Sequence, residues 1–529
     1  MRLVRRSLLE PQAGSMNGMM TPEDGLSPVG AEVLAAWSEA IGASHVVAHP
    51  EELELASRTT FATQGRVQAI LRPAHATDVA ACLTIASRYG VALYPVSRGT
   101  NWGLGGRVPP RGKAFLLDLS RMHRIRSYDP VLGTLSLEPG VTFLQVYEFL
   151  RDQGSDFWLS PIGGSDLSSV LGNALERGEG AGPLGERSNH VAGLEVVTAN
   201  GQVLRTGFSR FEGAQTSGLS RHGVGPSLDG LFAQSNLGVV TQMTVWLSKQ
   251  PRYQLRFKGR FRDAAHLSQG LDALRELHQQ RVLTDCGFTV WNLHKFLALN
   301  GRYPWTRTAG ATPFRLFPQV DMHPAYVSGH LHAASAEIGQ AMLQQVQETL
   351  RLSVDDWDSE EITAAQRQKD PRLDVGYPNP VNLKTAYWRK RGVPNGPDPE
   401  ADGCGVIWLC PALPFKGALI AEVFQALETM GYAHRLETQI GLSAMSPRLV
   451  HAYISLIYDR DVPGEDERAM ACHDEMLAWL LERGLPPYRL GIHSMEAMGP
   501  KDDGYAQLLR GLRRQLDPAG IIAPGRYVD

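Results

Sequence analysis

The chain has 529 residues, 43% of them hydrophobic, and its 52 basic and 55 acidic side chains leave a formal charge of −3. At roughly 100–200 residues per domain that length predicts two to four domains, and the near-balance of charge argues against a nucleic-acid partner, which calls for a clustered excess of Lys and Arg. The composition also excludes a disordered chain and a disulfide scaffold; the outlying figure is glycine, 54 residues, against a usual ~7% of a chain.

The basic start, Met1 to Arg6, runs into Glu10 and Pro11 in place of the apolar stretch of a secretory signal, so residues 1–20 read as a flexible tail, with Met16, Met19 and Met20 as alternative starts. Five cysteines without CxxC spacing fit a reducing compartment and argue against a zinc site. With no long apolar run, the expectation is a cytoplasmic protein with no membrane partner and no metal.

Residues 66–140 alternate short β-rich runs with one helix. Strands are predicted at Val67–Leu71, Val91–Val96, Ala114–Leu119 and Thr134–Glu138, and a helix starts at Thr77-Asp78 with Val79, Cys82, Leu83 and Ala86 on one face. Ala199-Asn200-Gly201 predicts a hairpin turn between 193–198 and 202–206, and a strand over 239–247 closes this half. Beyond residue 251, helices over Asp263–Arg281 (Asp263 as N-cap) and Ala333–Leu352 alternate with strands at Gly405–Leu409 and His451–Ile457. The Pro-rich stretch Asp370–Gly403 reads as a long surface loop or lid, and a helix is predicted over Gly504–Leu516. The organisation read from these elements is 21–250 as a first domain, 251–480 as a second, and 481–529 as a return to the first.

The glycines of the first half cluster after predicted strands: Ser97–Gly106, then Ile162–Asn173, then Glu176–Gly185. Glycine there lets backbone approach a ligand and turn successive N–H groups toward one anion. Several such loops in one domain suggest a large phosphorylated cofactor held at many points. None matches GxxxxGK[ST], and Gly180–Gly185 fits GxGxxG without the strand-to-helix context, so a P-loop and an ordinary nicotinamide-binding domain are disfavoured.

Together the segments Pro95-Val96-Ser97-Arg98-Gly99-Thr100-Asn101, Glu138-Pro139-Gly140-Val141, Gly172-Asn173-Ala174-Leu175-Glu176-Arg177-Gly178, Gly193–Gly201, Asp229–Phe232, Ser235–Gly238, Tyr488-Arg489 and Asp517–Gly525 resemble the vanillyl-alcohol oxidase / p-cresol methylhydroxylase family of FAD enzymes. The resemblance keeps its order along nearly the whole chain. It implies an α+β fold of two domains: an FAD-binding domain built from both ends of the chain, and a cap domain with an antiparallel sheet flanked by helices. It implies that Pro95, Ser97 to Asn101, Leu104 and Gly105 hold the pyrophosphate region. Pro139, Gly140, Val141, Gly163, Gly164, Gly172, Asn173, Arg177, Gly178, Val240 and Arg526 would line the rest of the cofactor.

Family chemistry is hydride transfer from the benzylic carbon of a para-substituted phenol to flavin N5, leaving a quinone methide. Tyr488 and Arg489 match the phenolate-binding pair, because Arg supplies a fixed positive charge and Tyr a donor. Asp166 is either an acid/base near N5 or a helix cap. His451 is the candidate for covalent attachment of FAD, ahead of His434 and Tyr453. The chain departs from its relatives at two phenol-binding tyrosines, where it carries Leu104 and Leu184, with Tyr387, Tyr453 or Trp102 as replacements. The departure points to a larger, more apolar phenolic substrate, and oxidative decarboxylation becomes one fate of the quinone methide. His294, Lys384, Arg389 and Arg435 are the cap cations that would hold a carboxylate. Expected partners are a small phenolic substrate, oxygen or a redox protein as electron acceptor, and a second copy of the chain. The alternatives are an oxidase of aliphatic alcohols or 2-hydroxy acids, and a flavin-binding electron-transfer subunit.

Overall fold

The computed structural model describes residues 28–308 and 323–528; the expected N-terminal tail lies outside them. Among the described residues three larger sheets organise the fold, beside a two-stranded pairing of Phe157–Trp158 with Ser248–Lys249, and each of the three forms where the sequence alternates apolar and polar positions or runs apolar throughout. The first sheet has the spatial order Val46–Val47, Arg66–Leu71, Lys113–Asp118, Leu93–Val96, the last three parallel. Its crossover helix Ala76–Tyr89 buries Val79, Cys82, Leu83 and Ala86 and stops at Gly90, whose φ of 65° satisfies a left-handed C-cap. The helix starts one residue ahead of the expected cap, because Asp78 accepts a hydrogen bond from Ala74 N–H at 2.9 Å outside the helix.

The second sheet is antiparallel, in the order Ile125–Asp129, Thr134–Leu137, Val239–Trp246, Val191–Val197, Val203–Arg205. The amphipathic helix Phe143–Asp152 packs on it through Phe143, Val146 and Leu150. The C-terminal segment returns to this half. Leu93 and Ile521 exchange backbone contact, with Leu93 N–H donating to Ile521 at 2.8 Å, and Asn236 Nδ2 donates to the carbonyls of Ala523 and Val528 at 3.2 and 3.0 Å.

An eight-stranded antiparallel sheet forms the second half, from Val354–Glu361 at one edge to Pro487–Arg489 at the other. Helices Ala264–Gln279, Ala336–Leu350, Gly417–Ala433 and Glu465–Glu482 supply apolar faces to its core. Asp263 caps the first of these as expected, accepting from His266 N–H at 2.9 Å. The Pro-rich stretch 370–403 departs from its reading as a surface loop. Tyr387 and Trp388 form a small core with Tyr303 and Val406, and the next two residues, Arg389 and Lys390, are buried as well, Arg389 in an ion pair with Glu437 at 2.9 Å. Polar, proline-rich composition signals a lack of regular structure there, and burial follows from what packs against it. No helix among the described residues is long and apolar enough to cross a membrane, and all five cysteines are free and buried.

Candidate active site

A cavity of about 860 Å³ opens where the glycine loops of the first half face the eight-stranded sheet. Pro95 and Ser97 through Asn101 line one end of it, with Trp102 and Leu104. Among the described residues, the N–H groups of Gly99, Thr100, Asn101 and Trp102 make no hydrogen bond to the chain. Consecutive unpaired N–H groups on a cavity wall are the arrangement that holds a pyrophosphate, and burying them without such a ligand is costly. The loop reaches this shape through glycines packed close against neighbouring side chains: a Cβ on Gly103 would lie 2.0 Å from Trp408 Cδ1, and one on Gly105 would lie 2.6 Å from Ile492 Cγ2.

Gly163, Gly164, Gly172, Asn173, Val240 and Arg526 also line the cavity, as expected for cofactor neighbours. Arg526 is buried and donates to Glu176 at 2.8 Å; despite burial, that carboxylate, with Tyr527 and Tyr94, keeps it firmly protonated. Other expected neighbours sit one layer back. Pro139 accepts a hydrogen bond from Ser169 Oγ at 2.5 Å, Gly140 N–H donates to Met122, and Val141 accepts from Val170 N–H, so this segment anchors the short helix Val170–Leu175. Gly105, Arg177 and Gly178 are likewise not cavity residues; Gly178 N–H closes a turn onto Asn173 at 2.7 Å.

Tyr488 and Arg489 both face the cavity from the edge strand Pro487–Arg489. Arg489 donates through Nη2 to Asn101 Oδ1 at 2.8 Å, while its buried Nε has no partner. Tyr488 stacks on His451, ring centroids 3.6 Å apart, with the Arg177 guanidinium 5.6 Å from the Tyr488 ring centroid. Glu179 ties the group together. It accepts from the Tyr453 hydroxyl, pairs with His451 Nδ1 and faces the Tyr488 hydroxyl. Burial, and then this carboxylate, push the Tyr488 hydroxyl well above its ordinary pKa, so it stays a protonated donor.

Several sequence expectations are relocated. His451 is buried, does not line the cavity and stacks on Tyr488, so its ring supports Tyr488. Asp166 also lies off the cavity, in a turn whose carbonyl accepts from Leu144 N–H at 3.0 Å. Of the residues considered in place of the two tyrosines, Tyr453 and Trp102 line the cavity; Tyr387 points to Asp402 at 2.6 Å instead. Leu104 lines it and Leu184 does not. None of His294, Lys384, Arg389 and Arg435 reaches the cavity, and His434 pairs with Glu475 at 2.7 Å. The cap cations that do reach it are Arg256 and Arg372, each paired with a carboxylate, and Lys295, next to His294 in sequence. Two functional positions were thus missed: Lys295, and Glu179, which stands in the glycine cluster between Gly178 and Gly180.

Residues 67–207 match the family described as FAD binding domain. Over 525 residues the chain is 39% identical to 1'-carboxy-chondrochloren decarboxylase of Chondromyces crocatus, covering 93% of this chain and 96% of that protein. It is 28% identical to the 4-cresol dehydrogenase [hydroxylating] flavoprotein subunit of Pseudomonas putida, covering 85% of each. The fold matches a substrate-bound crystal structure of p-cresol methylhydroxylase with a TM-score of 0.86 at 24% identity, over 96% of this chain and 98% of that one. It matches 4-ethylphenol oxidase from Gulosibacter chungangensis with a TM-score of 0.83 at 23% identity, over the same shares of the two chains.

Proposed function

The chain belongs to the vanillyl-alcohol oxidase / p-cresol methylhydroxylase family of FAD-dependent oxidoreductases, and on that premise we propose that it oxidises a para-substituted phenol at the benzylic carbon and that the product then loses a side-chain carboxylate as CO2. The unpaired N–H groups of the loop 97–106 fit the pyrophosphate of FAD, and Arg98 is the charge beside them. When bound, FAD supplies the two-electron acceptor for the benzylic hydride.

The observation that carries the phenol reading is the Tyr488–Arg489 pair. Arg489 is held by Asn101 with a buried N–H to spare, Tyr488 is kept protonated, and both residues line the cavity as adjacent donors. Such donors favour the phenolate over the phenol, and a phenolate releases benzylic hydride more readily because its charge delocalises into the forming quinone methide. The phenolic proton passes by way of Tyr488 to Glu179, the carboxylate that Tyr488 faces. In the quinone methide the electron pair of the adjacent carbon–carboxylate bond has an acceptor. Cleavage releases CO2, returns that pair to the ring as phenolate and leaves a vinyl side chain. The proton on Glu179 then goes back to oxygen, so two electrons leave the substrate and the protons balance. The carboxylate step is supported by the decarboxylase relative.

Anaerobic mixing of the yellow holoenzyme with a 4-alkylphenol is expected to bleach the flavin, and Arg489→Met to slow this by about 10²–10³-fold, the cost of losing a buried charged partner. Bleaching by 2-hydroxy acids and not by phenols would overturn the reading.

A further inference from the structure

Six Lys and Arg side chains line the cavity: Arg98, Arg256, Lys295, Arg372, Arg489 and Arg526. Three have carboxylate partners: Arg256 with Glu360, Arg372 with Asp370 and Arg526 with Glu176. Two of the others already have anions to meet, Arg98 in the pyrophosphate loop and Arg489 at the phenolate. Lys295 is the remaining one.

Its placement is unfavourable in three ways. The side chain is 7% exposed. Among the described residues its ammonium makes a single hydrogen bond, to Thr385 Oγ1 at 3.0 Å, and no ion pair, which leaves two of its three donors free. It also stands in the first turn of the helix Leu293–Asn300, the end of a helix where the backbone dipole disfavours a cation. That turn is fixed: the N-cap Asn292 accepts from Lys295 N–H at 3.1 Å, and its amide donates to Glu428 at 2.7 Å and Thr438 at 2.8 Å. A buried lysine without an ion-pair partner, on a rigid support at a ligand cavity, marks a site for an anion, whose arrival holds the amine in its charged form.

The strand Cys404–Pro414 gives this charge a position relative to Arg489. Val406, Trp408 and Cys410 alternate on its cavity face; Lys295 Nζ lies 5.7 Å from the Trp408 ring centroid, and Cys410 is the register partner of Arg489. Trp408 and Cys410 are one pleat repeat apart, ~7 Å. Lys295 and Arg489, neither in an ion pair, therefore stand beside neighbouring stations of one cavity wall, on which a substrate with a phenol at one end and an acid at the other meets both.

We propose that Lys295 is the specificity residue for the substrate's side-chain carboxylate, so that the enzyme takes phenols bearing an acid and holds them at both ends. This rests on the phenol reading above and extends it. The acid is held as carboxylate, the form that loses CO2, and Lys295 transfers no proton.

The test is ligand binding to photoreduced, anaerobic holoenzyme, in which no turnover occurs. The probes are 3-(4-hydroxyphenyl)propanoate, 4-propylphenol and 3-phenylpropanoate, measured by equilibrium dialysis. Lys295→Met is expected to weaken binding of the two acids by about 30-fold or more, to leave 4-propylphenol within about 3-fold, and to retain FAD; Lys295→Arg is expected to keep most of the affinity for the acids. Equal weakening of all three probes, unchanged binding of the acids, or loss of FAD from Lys295→Met would overturn the assignment. Failure of the phenol reading looks different: 4-propylphenol does not bind the wild type, while 3-phenylpropanoate still binds in a Lys295-dependent way.

Discussion

Gly103 couples the cofactor loop to the eight-stranded sheet, and Gly103→Ala tests that seam. Its φ is 75°, and a Cβ would lie 2.0 Å from Trp408 Cδ1 and 2.7 Å from Nε1. The left-handed backbone costs an alanine about 1–2 kcal/mol, and overpacking against the indole adds about 1–3 kcal/mol, so the variant should lose about 2–5 kcal/mol. Relief by shifting Trp408 is restricted, since its backbone N–H is bonded to the Gly103 carbonyl at 3.1 Å. The readouts are the apparent unfolding midpoint at a fixed FAD concentration and the FAD dissociation constant, because a cofactor-binding protein of several domains has no single two-state stability. Trp408→Ala removes the obstruction, so the double variant should be less impaired than the sum of the singles by about 1–3 kcal/mol. Strict additivity, or a Gly103→Ala protein with wild-type midpoint and FAD affinity, would refute the seam.

Lys295→Met should also stabilise the ligand-free protein in a pH-dependent way. Burial lowers the lysine from its usual 10.5 to about 7. Between those values the unfolded chain carries a proton that the folded chain lacks, so wild-type stability rises with pH across that window and is lowest below it. The gain in midpoint from the variant should therefore be larger at pH 6 than at pH 9; an equal gain at both contradicts it. Glu179→Gln removes the carboxylate that Tyr453, His451 and Tyr488 share, and should slow phenol oxidation about 10²-fold or more as the loss of a general base, while Asp166→Asn should stay within about 3-fold; the reverse order in stopped-flow reduction would return the acid/base role to Asp166. His451→Ala should loosen Tyr488 and weaken phenol binding, without changing how flavin divides between pellet and supernatant after acid precipitation. Flavin moving from pellet to supernatant in that variant would make His451 the covalent attachment.

What could be read from the sequence was whatever local chemistry determines. The helix Gly504–Leu516, the Asp263 cap and the glycine loop after Val96 were each legible, because amphipathic spacing, a capping aspartate and a run of glycines act within a few residues. The Tyr488-Arg489 pair was legible from the family pattern and lines the cavity. Choosing between neighbours was not possible on such grounds. His294 and Lys295 are about 100° apart on a helix, and only the packing shows that His294 turns into the core toward Tyr432, at 2.9 Å, while Lys295 turns to the cavity. Glu179 was hidden for a different reason: its partners His451 and Tyr453 lie more than 270 residues away. The buried segment around Tyr387 and Trp388 escaped notice because its burial is set by contacts with Tyr303 and Val406 across the cap.

In the reaction proposed above, phenol oxidation and loss of the carboxylate belong to one turnover. A single anaerobic turnover of the holoenzyme with 3-(4-hydroxyphenyl)propanoate, labelled at the carboxylate carbon, measures it directly. One labelled CO2 and one 4-vinylphenol are expected for each flavin reduced. Flavin reduction with the label retained in a hydroxylated acid, or reduction by acids that lack the phenol, would contradict it.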